Sequence, residues 1–298
     1  MNPRSSLQVS SFFLFAIMLT PPLSRLPVEL LDSIVEHVAK LPLAFKDEIL
    51  YNLSLADRAF TQSCQKHIFW NFKVIKRSTG KELKFERAKK ILDDKPSIAN
   101  QVRTVRLAVS RDEWIRLFND PTFISILQLL AKSPVPPHEL HLGYIFASFI
   151  IEDPILVVRQ LGQSFFSQTL TNLYLTSCEN IPLPIFLICP KLRKVFLNHV
   201  GAEMSYGEYP DSQCSGRKPP SLEVLDYRDS HSLLQQMITP PSRFKTPVVL
   251  WSNLRILTTD PHEKEGMACL QPILDAAYNT LEELYLTNFH MCKGRCDI

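Results

Sequence analysis

Glycine is scarce in this chain: 8 among 298 residues, beside 22 prolines. Loops that cradle phosphates need glycine where the backbone closes on the ligand, and neither G-x-x-x-x-G-K-[ST] nor G-x-G-x-x-G occurs. An excess of one charge is also missing. With 33 basic and 30 acidic residues the formal net charge is +3, too near balance to argue for nucleic acid or a membrane surface as partner. Long apolar runs are missing as well: "SFFLFAIML", residues 11–19, is too short to span a bilayer, and no A-x-A-like cleavage site follows it. There is no G-x-S-x-G, no H-E-x-x-H, and no cysteine or histidine in a context that marks a nucleophile or base. The chain is therefore read as a binding protein rather than an enzyme, without a cofactor.

Seven cysteines, at 64, 178, 189, 214, 269, 292 and 296, are an odd number and lie mostly within apolar segments. They are expected to be reduced thiols of a cytoplasmic and/or nuclear protein. "HMCKGRC", His290 to Cys296, offers three ligand-type residues with no second cluster, so no metal site is expected. "KRSTGKELKFERAKK" is basic but interleaved with Glu82 and Glu86 and lacks paired aromatic residues, which suits a solvated helix face better than a nucleic-acid site.

What the sequence does have is a repeat. An apolar residue, two variable ones, an apolar one, a variable one and a last apolar one recur in "VRTVRL" ending at Leu107, "PHELHL" at Leu142, "LTNLYL" at Leu175 and "LRKVFL" at Leu197. "LEVLDY" at Tyr227, "LRILTT" at Thr259 and "LEELYL" at Leu286 continue it, the steps being 35, 33, 22, 30, 32 and 27 residues. Helix-like segments lie between, two of them opened by Asp120-Pro121 and Asp153-Pro154 as N-cap and first helical residue. Short strands that bury their apolar positions in a shared core, each covered by a helix, make a solenoid; the alternative is an ordinary α/β sheet of βαβ units. The variable positions then form two rows on the open, concave side. One is Arg106, His141, Tyr174, Phe196, Asp226, Thr258 and Tyr285; the other is Ala108, Gly143, Thr176, Asn198, Arg228, Asp260 and Thr287. Candidate binding residues from these rows are Tyr174, Phe196, Asn198, Asp226, Arg228 and Tyr285, because outward aromatics are costly to leave bare and are common in interfaces; the alternative is that a loop or the chain's own tail covers them. The tail after Leu286 is too short for another unit, so the last strand is expected to be an edge, and the repeat domain to be either cut short there or prone to pair with another chain.

The start is of another kind. In "LSRLPVELLDSIVEHV", Leu23 to Val38, Pro27 stands where a helix begins, Glu29 suits its positive end, and Leu30, Leu31, Ile34, Val35 and Val38 form a wide apolar stripe. Two further helices, roughly 46–56 and 57–69, and a strand at 71–76 follow from the spacing of Ile49, Leu53, Ala56, Phe60 and Cys64.

"LPVELLDSIVEHV" and then "LSLADRAFTQSCQKHIFWNF" resemble an F-box, the matching positions being Leu26, Pro27, Glu29, Leu30, Leu31, Ile34, Leu53, Ser54, Leu55 and Phe69. "KPSIANQVRTVRL" resembles the segment that joins F-box to leucine-rich repeats in large fungal families of such proteins, and 170–200 resembles their repeats. Ala56-Asp57-Arg58 stands where those proteins usually carry cysteine-arginine, and the spacer "AKLPLAFKDEILYN" is long. Residues 1–22, ahead of the resemblance, are read as a disordered extension; the resemblance implies an α/β chain with a small three-helix F-box over 23–77 and an irregular leucine-rich-repeat solenoid over 78–298. It also implies a Skp-type adaptor bound by Leu26, Pro27, Leu30, Leu31 and Ile34, a cullin reached through that adaptor, and a protein substrate held by the repeats for ubiquitin transfer. A repeat scaffold unconnected with ubiquitination, its first helices serving as a cap, is the alternative.

Overall fold

The computed structural model describes residues 26–41, 43–75, 85–109, 111–143, 149–151, 153–164, 168–202, 217–242, 244, 246–260 and 264–287. The extension over 1–22, the His290–Cys296 segment and residues 76–84 of the basic run lie outside them. The chain divides into two compact units, 1–70 and 71–298. The division precedes the boundary expected at 77 because the strand after Trp70 pairs with the sheet of the second unit.

The described part of the first unit is three helices, α1 (Val28–Ala39), α2 (Leu43–Ala56) and α3 (Arg58–Ile68). Pro27 starts α1 as expected: its carbonyl accepts from the Leu30 and Leu31 amides at 3.0 and 3.2 Å, and its missing N–H is no loss there. Asp57 is the N-cap of α3, its carboxylate accepting from the Ala59 amide at 2.9 Å. Leu31 and Val35 from α1, Leu50 from α2, and Phe60 and Cys64 from α3 form the small core. At its edge the Ser63 hydroxyl donates to the Asp32 carboxylate.

The second unit is an α/β arrangement around an open, wholly parallel sheet, consistent with a solenoid. Its strands are β1 (Asn71–Ile75), β2 (Thr104–Ala108), β3 (Glu139–Gly143), β4 (Phe149–Ile150), β5 (Asn172–Ile181), β6 (Lys194–Ala202), β7 (Val224–Arg228), β8 (Ile256–Thr259) and β9 (Glu283–Leu286). They lie side by side in chain order, with β1 and β9 at the edges. Two-residue β4 resumes beside β5 where β3 leaves off. All seven repeats of the sequence fall on strands.

Register follows the repeat. Val105, Leu140, Leu173, Val195, Leu225 and Leu257 align across six strands, and Leu107, Leu142, Leu175, Leu197, Tyr227 and Thr259 form a second aligned row on the same face. All are buried. The carbonyl just before each strand accepts two amides from the start of the next: Arg103 from His138 and Glu139, His138 from Thr171 and Asn172, Thr171 from Arg193 and Lys194. Arg193, Glu223 and Arg255 repeat the pattern.

The helices that close the core are α4 (Glu86–Asp94), α5 (Pro96–Ala99), α6 (Arg111–Asn119), α7 (Pro121–Ala131), α8 (Pro154–Ser164), α9 (Pro184–Leu187), α10 (His231–Ile238) and α11 (Lys264–Ala277). Asp120 caps α7 through bonds from the Thr122 and Phe123 amides, and Asp153 caps α8 through the Leu156 amide. The 22-residue step has no room for a long helix. The four-residue α9 fills it, and residues 181–189 are all buried.

Strands β5 and β6 run past the repeat pattern. Ser177, His199 and Asp229 take up positive φ, 51°, 54° and 44°, at matching points of neighbouring repeats. Beyond the end of β7, the Ser230 and Ser232 hydroxyls accept from the Val200 and Ala202 amides, standing in for a missing strand. Gly143 has a separate reason: a Cβ there would lie 2.3 Å from the Thr176 carbonyl oxygen. Among the described residues no helix is long and apolar enough to cross a membrane.

Candidate functional site: an apolar helix face and an aromatic row

Each unit presents one candidate face. In the first, the stripe on α1 divides. Leu31 and Val35 point into the core, while Leu30 and Ile34 are 52% and 41% exposed one turn apart. Val28 is also exposed, Leu26 is half-buried and packs against the core, and Pro27 is exposed. Of the five residues singled out as adaptor-binding, Leu31 is thus not at the surface. Its burial comes from the 100° step per residue, which turns it away from Leu30 and onto Phe60 and Leu50. Tyr51 and Leu55 on α2 add two further exposed apolar side chains.

In the second unit the register places Lys73, Arg106, His141, Tyr174, Phe196, Asp226, Thr258 and Tyr285 in one row across eight strands, on the face opposite the core. Three consecutive rings stack. His141 lies on Tyr174 with centroids 4.0 Å apart and planes 5° from parallel, and Tyr174 lies on Phe196 at 4.2 Å and 2°. Parallel pairing at the strand spacing brings equivalent side chains this close, and the rings fill the space between half-buried neighbours.

The stack is held at one end by Glu139, two residues before His141 and on the same face. His141 Nε2 is 2.6 Å from its Oε1, the Asn172 amide group donates to Oε2 at 3.3 Å, and the Thr104 hydroxyl donates to Oε1 at 3.4 Å. Burial alone would raise the Glu139 carboxyl. The hydrogen bonds from His141 and Asn172, with the charges of His141 and Arg106, outweigh it and hold the group below the ordinary glutamate range. Burial and the neighbouring Glu139 charge push the Tyr174 hydroxyl up.

Of the six candidate residues on this face, Tyr174, Phe196 and Asp226 are consecutive in the row, and Asn198 and Arg228 are paired in the row beside it. Tyr285 is not part of the group. Asp226 and Thr258 separate it from Phe196, about 14 Å at the usual strand spacing, and its hydroxyl bonds Glu283 on the edge strand. Asp260, assigned to the second outward row, is instead buried just beyond the end of β8. Glu139 and Asn172 were missed. Their signal was one step earlier in each repeat, where the same face continues.

The four described cysteines, Cys64, Cys178, Cys189 and Cys269, are unpaired and buried. Burial pushes the Cys64 thiol up to about 11 and the Cys189 thiol up to about 12, which suits packing rather than nucleophilic use. Among the described residues no three His, Cys, Asp or Glu side chains gather as a metal site requires. Comparison with protein-family models, curated proteins and solved structures returns no match.

Proposed function

We propose that the chain is the substrate-recognition subunit of a cullin–RING ubiquitin ligase of the SCF type, an F-box followed by divergent leucine-rich repeats. A Skp-type adaptor docks on the first unit and a protein target on the open face of the sheet. The observation that carries this reading is the division of the α1 stripe. Leu31 and Val35 are the buried residues α1 gives to the internal core, while Leu30 and Ile34 keep large apolar side chains in solvent. Exposed apolar residues one turn apart on a helix are the usual anchors of helix-face recognition. The L-P start and the helix that follows are where F-box proteins meet their adaptor, and the stacked row gives the second unit a preformed surface for a target. Catalysis by this chain is not required, and it works in the cytoplasm or nucleus.

Co-expression with a Skp-type adaptor is the test. Recovery of a stoichiometric complex from the wild type, and of none from the L30D/I34D variant with unchanged circular dichroism, is the expected result. A wild-type chain that ignores the adaptor would leave a repeat scaffold unconnected with ubiquitination.

A further inference from the structure

The ring stack has two unlike ends. At the first, Glu139 holds His141, and the next position in the row is a cation, Arg106. At the second, Phe196 stacks on Tyr174 with one face and has no aromatic or cationic partner for the other among the described residues. The next position in the row, on β7, is Asp226. Among the described residues its charged partner is Arg228, whose Nε is 3.6 Å from Oδ1, a loose approach for an ion pair. Burial raises the Asp226 carboxyl above its ordinary range, and Arg228 offsets this only in part.

A half-buried carboxylate whose ion pair with Arg228 is a long one, 3.6 Å, sits beside the electron-rich face of an aromatic ring. Both attract the same thing, a cation with apolar surface. A guanidinium fits better than an ammonium. It is planar and extends a series of planes already parallel within 5°, and its forked N–H groups match a carboxylate.

We propose that the Phe196–Asp226 end of the stack is a receptor for an arginine side chain of a protein partner, with the guanidinium lying over the outer face of Phe196 and donating to the Asp226 carboxylate. The inference rests on the open face of the sheet as the target-binding face, and names the chemistry of that target as an exposed, basic segment. It does not depend on the adaptor.

The test uses the full-length isotope-labelled chain and the probe acetyl-Gly-Gly-Arg-Gly-Gly-amide, with Lys and Glu in place of Arg as comparators. The expected result is a saturable shift of the Phe196 ring protons and the Asp226 carboxylate carbon with the Arg peptide, a weaker one with Lys and none with Glu. Phe196→Leu weakens the Arg peptide about three- to fivefold, the effect of an exposed cation–π contact. Asp226→Asn weakens it at least as much, and Asp94→Asn, at the exposed end of α4, leaves it unchanged. Undiminished binding by folded Asp226→Asn and Phe196→Leu variants, shifts at neither group, or preference for the Glu peptide each overturns the inference. Should Asp226→Asn not fold, the Phe196→Leu titration and the wild-type shift map decide alone. Adaptor capture, measured on the same preparations, separates failure here from failure of the ligase reading.

Discussion

His141 keeps its Nε2 2.6 Å from Glu139 while its ring lies flat on Tyr174, so one imidazole joins a carboxylate hub to an aromatic stack. Replacing Glu139 by Gln removes the charge on which three donors converge, and is expected to cost about 1–2 kcal/mol near neutral pH. The sign of the pH dependence is fixed. The native carboxyl is held below its ordinary range, so its contribution is complete above that range and is lost as pH falls through the depressed value. Urea melts of wild type and E139Q should therefore converge on acidification below about pH 4. A gap that does not narrow at all as the pH is lowered below the ordinary glutamate range would show that the hub is not charged in the way described.

Leu30 and Leu31 are neighbours in sequence with opposite environments, 52% and 4% exposed. Leu30→Asp is expected to leave stability within about 0.5 kcal/mol, as surface changes do, while removing adaptor capture. Leu31→Ala should cost about 2–5 kcal/mol and melt the small core whether or not an adaptor is present. Equal destabilisation by the two changes would mean that the stripe is not divided.

Gly143 to Ala tests the packing of β3 on β5. The added methyl meets a backbone oxygen, not the far end of a flexible side chain, so the strand itself must shift. A loss of about 1–3 kcal/mol is expected in chemical denaturation. Amide exchange should rise first between Gly143 and Thr176. No change in exchange there would show that the strands have slack at that point.

Strand β9 is exposed at every residue, and the two buried rows of the sheet end on Leu284 and Leu286, 43% and 59% exposed. An apolar strand edge recruits other chains. Mass that rises with concentration in light scattering is expected, and Leu286→Lys should suppress it. A monomer at all concentrations, with amide protection over 283–286 equal to that over 172–175, would mean that the edge is covered.

The strands were readable because each repeat carries its own period, and the apolar positions needed only a partner in register to be buried. The outward row through Tyr174 and Phe196 followed from the same register. Three things did not. Leu31 looked like Leu30 because a stripe five residues wide does not say where core ends and surface begins. Glu139 was invisible because its role exists only once Asn172 and Thr104, 33 and 35 residues away, are brought beside it. The extensions of β5 and β6 were missed because they rest on left-handed residues and on serine hydroxyls from the next repeat, none of which has an apolar signature.

The doubly accepting carbonyl before each strand ties a repeat to its successor at one fixed point, whatever the chain does in between. Steps of 22 and 35 residues reach the same bond. Excursion length is thereby uncoupled from alignment: segments between strands can lengthen, shorten or diverge while the outward rows stay in step. Such a frame tolerates drift everywhere except at its joints, so the outward face can be rewritten one residue at a time.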